Sequence, residues 1–142
     1  MDNIGIVVED LPRMVAFFQE LGLVLEGEMR VEGPWVDHCI GLEGAVSDIA
    51  MMRTPGGGAS VELQRYIRPE AVMSEPQNAP SNTLGIRRIM FEVDDIDAMV
   101  GRLRKHGGEV LDQIVQYEHV YRLCYLRGPE GILIALAQKL TQ

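Results

Sequence analysis

The stretch Ile4-Gly5-Ile6-Val7-Val8-Glu9-Asp10-Leu11 returns later in the chain as Ile89-Met90-Phe91-Glu92-Val93-Asp94-Asp95-Ile96. A shift of 85 positions superposes the two copies and places Val8 on Val93. In each copy a short apolar run ends at an aspartate. The run predicts a strand, and the aspartate predicts a helix N-cap, where its carboxylate accepts hydrogen bonds from free backbone N–H groups. The repeat therefore predicts two related strand–helix units in one chain.

Each aspartate is followed by a segment with the apolar spacing of an amphipathic helix. Apolar residues recur at i, i+3, i+4 and i+7, which places them on one side of a helix. They are Leu11, Met14, Val15 and Phe18 in the first copy and Ile96, Met99, Val100 and Leu103 in the second. Gly22 and Gly107 follow these segments, where glycine favours the left-handed conformation that ends a helix.

Three strands are predicted after each helix, so that each copy has the order βαβββ. The predicted strands are Leu25–Val31, Asp48–Arg53 and Ser60–Tyr66 in the first copy and Val110–Gln116, Tyr121–Leu126 and Ile132–Ala137 in the second. Turns rich in glycine and proline join the last two strands of each copy, at Pro55–Gly58 and Gly128–Gly131. The predicted fold class is α+β with two tandem βαβββ modules. Residues 1–66 form the first module, 67–84 the linker and 85–142 the second module of a single domain, 1–142.

Arg53 and Arg127 occupy equivalent positions just before the two turns. This symmetry favours a structural role over a catalytic one. We expect each guanidinium to bind carbonyl oxygens of the hairpin that follows it.

The charge and composition of the chain exclude several classes of protein. Its 142 residues include 13 Lys and Arg against 21 Asp and Glu, for a formal net charge of −8. Nonspecific binding to nucleic acid or to an anionic membrane needs a cationic surface, so neither partner is expected. No apolar run approaches the ~20 residues of a membrane span, and the first residues lack the basic start of a signal peptide. Two distant cysteines indicate a reducing compartment, and we expect a cytoplasmic protein.

The repeated pattern resembles the vicinal oxygen chelate superfamily, which includes glyoxalase I, extradiol dioxygenases, and bleomycin- and fosfomycin-resistance proteins. The resemblance is carried by residues 4–11, Phe17-Phe18 and Leu21-Gly22 in the first copy, and by residues 85–96 and 127–131 in the second. It implies that the two modules curve their mixed sheet around a shared cleft and that the protein is a homodimer. It says less about the reaction, because this fold carries isomerases, dioxygenases, epimerases, transferases and non-catalytic drug binders.

The resemblance also implies where metal ligands would lie, on the first and last strand of each module. In the family these are typically a His on the first strand and a Glu on the last. The matching positions in this sequence are Asn3, Glu62, Arg88 and Ala135. Because side chains alternate between the two faces of a strand, all four fall on the face away from the helices, where they can converge on one cleft.

Only Glu62 of these four residues is an ordinary metal ligand, so no cofactor is predicted and a divalent metal is disfavoured. Asn3 is a weak neutral ligand, Ala135 has no ligand atom, and Arg88 is a fixed cation that repels a metal. Arg88 can instead replace the charge of the metal and take the carboxylate or phosphate of a ligand. We therefore predict Glu62 and Arg88 as catalytic residues. A structural ion pair between them, without a ligand, is the alternative.

The remaining predicted site residues are aromatic and polar side chains that can line or rim the cleft. The predicted ligand-binding residues are Asn3, Trp35, Asp37, Tyr66, Met90, Tyr121 and Ala135, with Tyr117 and Tyr125 as further aromatics. Core packing is the alternative explanation for each aromatic residue alone. His38 and His119 are placed in loops or at strand edges. With Glu62, or with Asp37 and Glu118, they form a disfavoured alternative metal site.

Three functions remain open at this point. The first is an isomerase- or lyase-type enzyme, similar to glyoxalase, that acts on a small oxygenated or carboxylated metabolite. In it Glu62 transfers a proton and Arg88 stabilises a developing oxyanion. The second is a non-catalytic binding protein for a small molecule, a drug or a metabolite, of the bleomycin-resistance type. The third is an assembly domain whose cleft has closed.

Overall fold

The computed structural model describes residues 1–73 and 76–140. Residues 74 and 75 of the predicted linker, and residues 141 and 142 of the predicted second module, lie outside the described part. The chain divides into two compact units, Met1–Met73 and Ser74–Gln142. The elements of the first unit are β1 (Asn3–Val7), α1 (Leu11–Glu20), β2 (Val24–Glu32), α2 (Pro34–Ile40), β3 (Val46–Arg53) and β4 (Ser60–Arg68).

The second unit also begins with a strand and a helix, but four shorter strands follow its helix and no α-helix corresponds to α2 among its described residues. Its elements are β5 (Arg88–Glu92), α3 (Ile96–Arg104), β6 (Glu109–Val110), β7 (Val115–Tyr117), β8 (Tyr121–Arg127) and β9 (Leu133–Lys139). Each unit has one mixed sheet, in the order β1-β4-β3-β2 in the first and β5-β9-β8-β6 in the second, with β7 also paired to β8. The first and last strands of each unit are parallel, and the other pairs are antiparallel. The predicted α+β fold is confirmed.

The aspartates, glycines and apolar stripes that predict α1 and α3 begin, end and bury these helices as expected. Asp10 Oδ1 accepts a hydrogen bond from the backbone N–H of Arg13, and Asp95 Oδ1 accepts one from Ala98, each at 3.1 Å. Gly22 and Gly107 have positive φ. The predicted apolar stripes of α1 and α3 are buried against their sheets.

One helix, α2, was not expected between β2 and β3. Gly33 precedes it, Pro34 is its first residue, and Gly41 ends it in the left-handed conformation. Proline suits the first turn because its missing N–H has no partner there, and glycine suits the end because it adopts positive φ at low cost. The prediction that His38 lies in a loop or at a strand edge is therefore wrong, since it lies inside α2.

The predicted strand Val110–Gln116 is also wrong, because two short strands, β6 and β7, stand in its place. Val110 is opposite Leu126 and Val115 is opposite Leu123 on β8. Four residues, 111–114, thus face the two residues 124–125. The two extra residues interrupt the pairing with β8, and the apolar pattern of the sequence alone does not show this interruption.

Arg127 fixes the start of the second unit to the turn before β9. Its Nη1 donates to the carbonyl oxygen of Gly131 at 3.1 Å, and its Nη2 donates to that of Ala79 at 2.9 Å. The predicted binding of hairpin carbonyls is confirmed for Arg127. It is wrong for Arg53, whose Nε pairs with Glu26 Oε1 at 2.7 Å.

Within the described ranges, no helix has both the length and the apolar character that crossing a membrane requires.

Candidate functional site

Glu62 lies on the side of the first sheet that faces away from α1, which we call the first face. Its neighbours across the sheet are Gly5 on β1 and Met51 on β3. On the same strand Val61 and Leu63 point the other way and are buried in the core beneath α1. Glu62 itself is half-buried, and its carboxylate has no hydrogen bond or ion pair with any described residue. This leaves a carboxylate on the first face that is open to a ligand.

A polar pair, Gln64 and Ser47, lies beside Glu62 on the first face. Gln64 is two residues further along β4, and its Nε2 donates to Ser47 Oγ at 2.9 Å. Ser47 is only 2% exposed, so its hydroxyl would be costly to leave without a partner. Tyr66 is directly opposite Ser47 and half-buried. The sequence prediction included Tyr66 but missed both members of this hydrogen bond.

Arg88 lies on the side of the second sheet that faces away from α3, which we call the second face. Its guanidinium carbon stands 4.9 Å from the centroid of the Tyr125 ring. Arg88 is on β5 and Tyr125 on β8, so the side chain reaches across the intervening strand β9. There the small residue Ala135, fully buried, is opposite Tyr125. The stack holds a cation on the second face at an aromatic ring.

Met90 and Tyr121 complete the predicted residues on the second face. Met90 is opposite Ala135 on β9 and is 55% exposed, while Tyr121 is half-buried at the start of β8. The structure thus brings Arg88, Met90 and Ala135 to one face, as strand alternation predicted, and Tyr121 lies on the same face. Tyr125 was named only as an extension of the aromatic wall. Its contact with Arg88 depends on the order and register of β5, β9 and β8, which the sequence does not show.

The four positions that match the family's metal ligands do not fit a divalent metal. The Asn3 side-chain amide donates to Asp2 Oδ2 at 2.7 Å. Arg88 contributes a permanent positive charge and Ala135 contributes no ligand atom, which leaves the carboxylate of Glu62 alone. Over residues 1–73 and 76–140, no three His, Cys, Asp or Glu side chains are grouped so that they could hold a metal ion.

Some of the predicted site residues lie outside the strands, on α2 and in the turn between β7 and β8. Asp37 accepts hydrogen bonds from the backbone N–H groups of Gly44 at 2.9 Å and Ala45 at 3.0 Å, so its carboxylate fixes the turn after α2. Trp35, on the first turn of α2, is 69% exposed. His119 is exposed in the turn between β7 and β8.

The side chains whose pKa values are shifted in this structure stabilise the fold. A hydrogen bond from Arg30 lowers the pKa of Asp48, and one from Arg122 lowers the pKa of Asp97. Asp48 lies on the helix side of the first sheet, and Asp97 lies on α3. Burial raises the pKa of the Cys124 thiol, which keeps this side chain in its unreactive protonated form.

Comparison with known proteins gives one family and many similar structures. The family model described as Glyoxalase/Bleomycin resistance protein/Dioxygenase superfamily matches residues 2–125. The crystal structure of a glyoxalase family protein from Bacillus cereus is 51% identical in sequence and has a TM-score of 0.95, over 99% of this chain and 94% of that one. No protein with a curated description matches the sequence.

More distant structures share the fold. An antibiotic-binding protein from a Streptomyces species is 20% identical, with a TM-score of 0.61 over 98% of this chain and 94% of that one. A glyoxalase I mutant from Zea mays is 16% identical, with a TM-score of 0.64 over 96% of this chain and 45% of that one. At these identities the likeness is one of fold alone.

Proposed function

Since the chain belongs to the glyoxalase/bleomycin resistance protein/dioxygenase superfamily, we propose that it binds a small oxygenated or carboxylated organic molecule without a metal ion. The observation that carries this proposal is the Arg88 guanidinium held over the Tyr125 ring. It stands at a position where the family resemblance expects a metal ligand. An antibiotic-binding protein among the structures of similar fold supports a small organic ligand. We further propose that the protein is cytoplasmic and forms a homodimer. Light scattering of the purified protein measures its mass in solution and so tests the dimer.

The stacked guanidinium is well suited to bind a carboxylate. A guanidinium over an aromatic ring is held by the negative charge of the ring face and keeps N–H donors for a ligand. Two parallel N–H donors match the two oxygens of a carboxylate. Because the Tyr125 stack already restricts the arginine side chain, less conformational entropy is lost when the ligand binds.

Replacing Arg88 with methionine is expected to weaken carboxylate binding. We expect the Kd of phenylacetate to rise at least about tenfold, because the cation and its paired donors are lost. The Kd of the uncharged phenylacetamide should not change. Isothermal titration measures both. Arg104→Met, which removes an exposed arginine of α3, is the matched control and should bind like the wild type. Equal affinity of Arg88→Met and wild type for phenylacetate would contradict the proposed anchor.

Protein purified without an affinity tag or chelator is expected to carry no stoichiometric metal. A single carboxylate cannot hold a divalent ion firmly, and a metal that binds only the folded state raises the melting temperature. Added nickel, cobalt, zinc, iron or manganese should therefore leave the melting curve unchanged. Elemental analysis and thermal melts measure this. A large upward shift with one ion would redirect the search for ligands to His38 and His119.

A second candidate function, an isomerase- or lyase-type reaction, is favoured by the carboxylate of Glu62, which forms no ion pair within residues 1–73 and 76–140. In this proposal the carboxylate takes a proton from a carbon next to a carbonyl group of the substrate. The electron pair of the broken C–H bond moves onto the carbonyl oxygen, which becomes an oxyanion. Return of the proton to a neighbouring position completes an isomerisation.

Hydrogen–deuterium exchange separates this enzyme from a binding protein. In D2O, we expect the wild type to exchange the C–H next to the carbonyl of 2-oxo and 2-hydroxy acids, as followed by NMR. Glu62→Gln keeps the shape of the side chain but removes the base, so exchange should fall by about a hundredfold or more. The Kd should change much less. If the wild type shows no exchange, or if Glu62→Gln exchanges as fast as the wild type, the enzymatic function is contradicted and the binding function remains.

A further inference from the structure

Gly5 lies in the middle of β1, where nothing in the fold requires a glycine. Its pairing with β4 is regular, with Gly5 opposite Glu62 and no shift of register. Its φ is not positive, and a methyl group placed on it would meet no atom within 4 Å. Glycine weakens the interior of a strand because the unfolded chain gains freedom and no side chain packs. This position therefore has a cost that neither backbone conformation nor packing explains.

Gly27, at the other end of the same row across the sheet, has a different explanation. It is opposite Met51 on β3, and it too has open space around it. The pairing of β2 shifts by one residue between Leu25 and Gly27. Glycine is common at such a bulge, where the strand bends. Gly27 thus serves the backbone, whereas Gly5 leaves space on the first face.

The space at Gly5 is bordered by acceptors of hydrogen bonds. Glu62 is its direct neighbour, and an ionised carboxylate has no hydrogen to donate. Gln64 is about 7 Å further along β4, at two strand residues. Its Nε2 is bound to Ser47, so its Oε1 is held ready to accept from a ligand. Val7, on β1 opposite Gln64, is 56% exposed and forms an apolar border.

We propose that the space at Gly5 is the seat of a hydrogen-bond donor, a hydroxyl or an amine, on the small molecule that this protein binds. Glu62 and Gln64 accept from the donor, and Ser47 is the positioning residue that orients the Gln64 amide. The missing side chain at Gly5 lets the group approach the sheet. This inference rests on the proposed function and names the chemistry that the first face selects.

Filling the seat is the direct test, because the substitution has room in the fold. Gly5→Val is expected to keep or raise the melting temperature, since valine favours strands, while the affinity for donor-bearing ligands falls about tenfold or more. Gly27→Val is the matched control and should keep the affinity of the wild type. The probes are three acids of one skeleton: mandelate with a hydroxyl, phenylglycine with an amine, and phenylacetate with neither.

The three acids also identify the donor. We expect the wild type to prefer mandelate or phenylglycine over phenylacetate, and the preferred one tells hydroxyl from amine. Gln64→Leu should remove this preference. Ser47→Ala should reduce the preference, and Ser47→Thr, which retains the hydroxyl, should restore it. Equal affinity for all three acids, or wild-type affinity in Gly5→Val, would overturn the seat while the carboxylate anchor of the proposed function stands.

If none of the acids binds, the proposal that this protein binds a carboxylate is contradicted. The seat at Gly5 is then tested independently by thiol–disulfide exchange. Gly5→Cys, combined with Cys39→Ser, is equilibrated with 2-hydroxyethyl, 2-aminoethyl and propyl disulfides. The protein thiolate attacks the disulfide, forms a mixed disulfide and releases one small thiol. We expect capture of a donor-bearing fragment over propyl, and loss of this selection in Glu62→Gln. Equal capture of the three fragments, or the same selection in Gly27→Cys, would overturn the seat.

Discussion

Gly131→Ala is expected to lower the free energy of unfolding by about 3 kcal/mol, as the sum of two separate costs. Gly131 has a φ of 84°, a left-handed conformation that costs an L-amino acid roughly 1–2 kcal/mol. A methyl group at this position would also overlap the carbonyl oxygen of Gln77 and lie 3.0 Å from Asn78 Oδ1. The backbone of residues 77–79 would have to move, although Arg127 holds Ala79 in place.

Gly56→Ala separates the two costs. Gly56 has nearly the same φ, 83°, but a methyl group there would meet no atom within 4 Å. It should therefore show the backbone cost alone, about 1 kcal/mol. Urea denaturation of both variants and the wild type gives the difference, which is the cost of displacing residues 77–79. If Gly131→Ala costs no more than Gly56→Ala, the segment does not pack against this turn.

Phe17→Ala is expected to destabilise the first unit by about 3–5 kcal/mol, the usual cost of truncating a buried phenylalanine to alanine. The side chain is fully buried and packs edge-to-face on Phe18, with ring centroids 5.4 Å apart. Its removal loses the transfer free energy of the ring, leaves a cavity and takes away the aromatic contact.

Two variants calibrate this result. Phe17→Leu retains most of the apolar volume and should cost less than about 1.5 kcal/mol. Trp35→Ala removes a larger aromatic side chain that is 69% exposed, so it should change the stability by about 0.5 kcal/mol at most. Thermal and urea unfolding measure all three. A loss at Trp35 comparable to that at Phe17 would mean that Trp35 is buried in solution, for example against a second copy.

Signals within a few residues were enough to predict the fold. The aspartate caps, the terminal glycines and the apolar stripes depend on local hydrogen bonds and helix geometry, and they recur at equivalent places in both halves. Phe17 shows the limit of this reading. It lies about 60° from Met14 around the helix axis, outside the i, i+3, i+4, i+7 template. The buried side of α1 is wider than the template assumes.

Contacts between distant residues could not be predicted in the same way. Strand alternation placed Glu62 and Arg88 on the faces away from the helices, since alternation is local. It could not pair Arg88 with Tyr125 or Gln64 with Ser47, because both contacts depend on strand order and register. The empty space at Gly5 is also invisible in the sequence, where this glycine looks like any other.

Arg53 and Arg127 bear on how the two halves of this chain have diverged. Glu26 lies at the bulge in β2 and pairs with Arg53. The corresponding strand of the second unit, β6, is only two residues long, and Arg127 binds the carbonyl oxygens of Gly131 and Ala79 instead. If the halves descend from one duplicated ancestor, each inherited an arginine, and later changes in its surroundings gave it a different partner. Aligning paralogous repeats therefore identifies equivalent residues, but their interactions have evolved separately. The same holds for Glu62 and Ala135, which occupy equivalent places in the two halves.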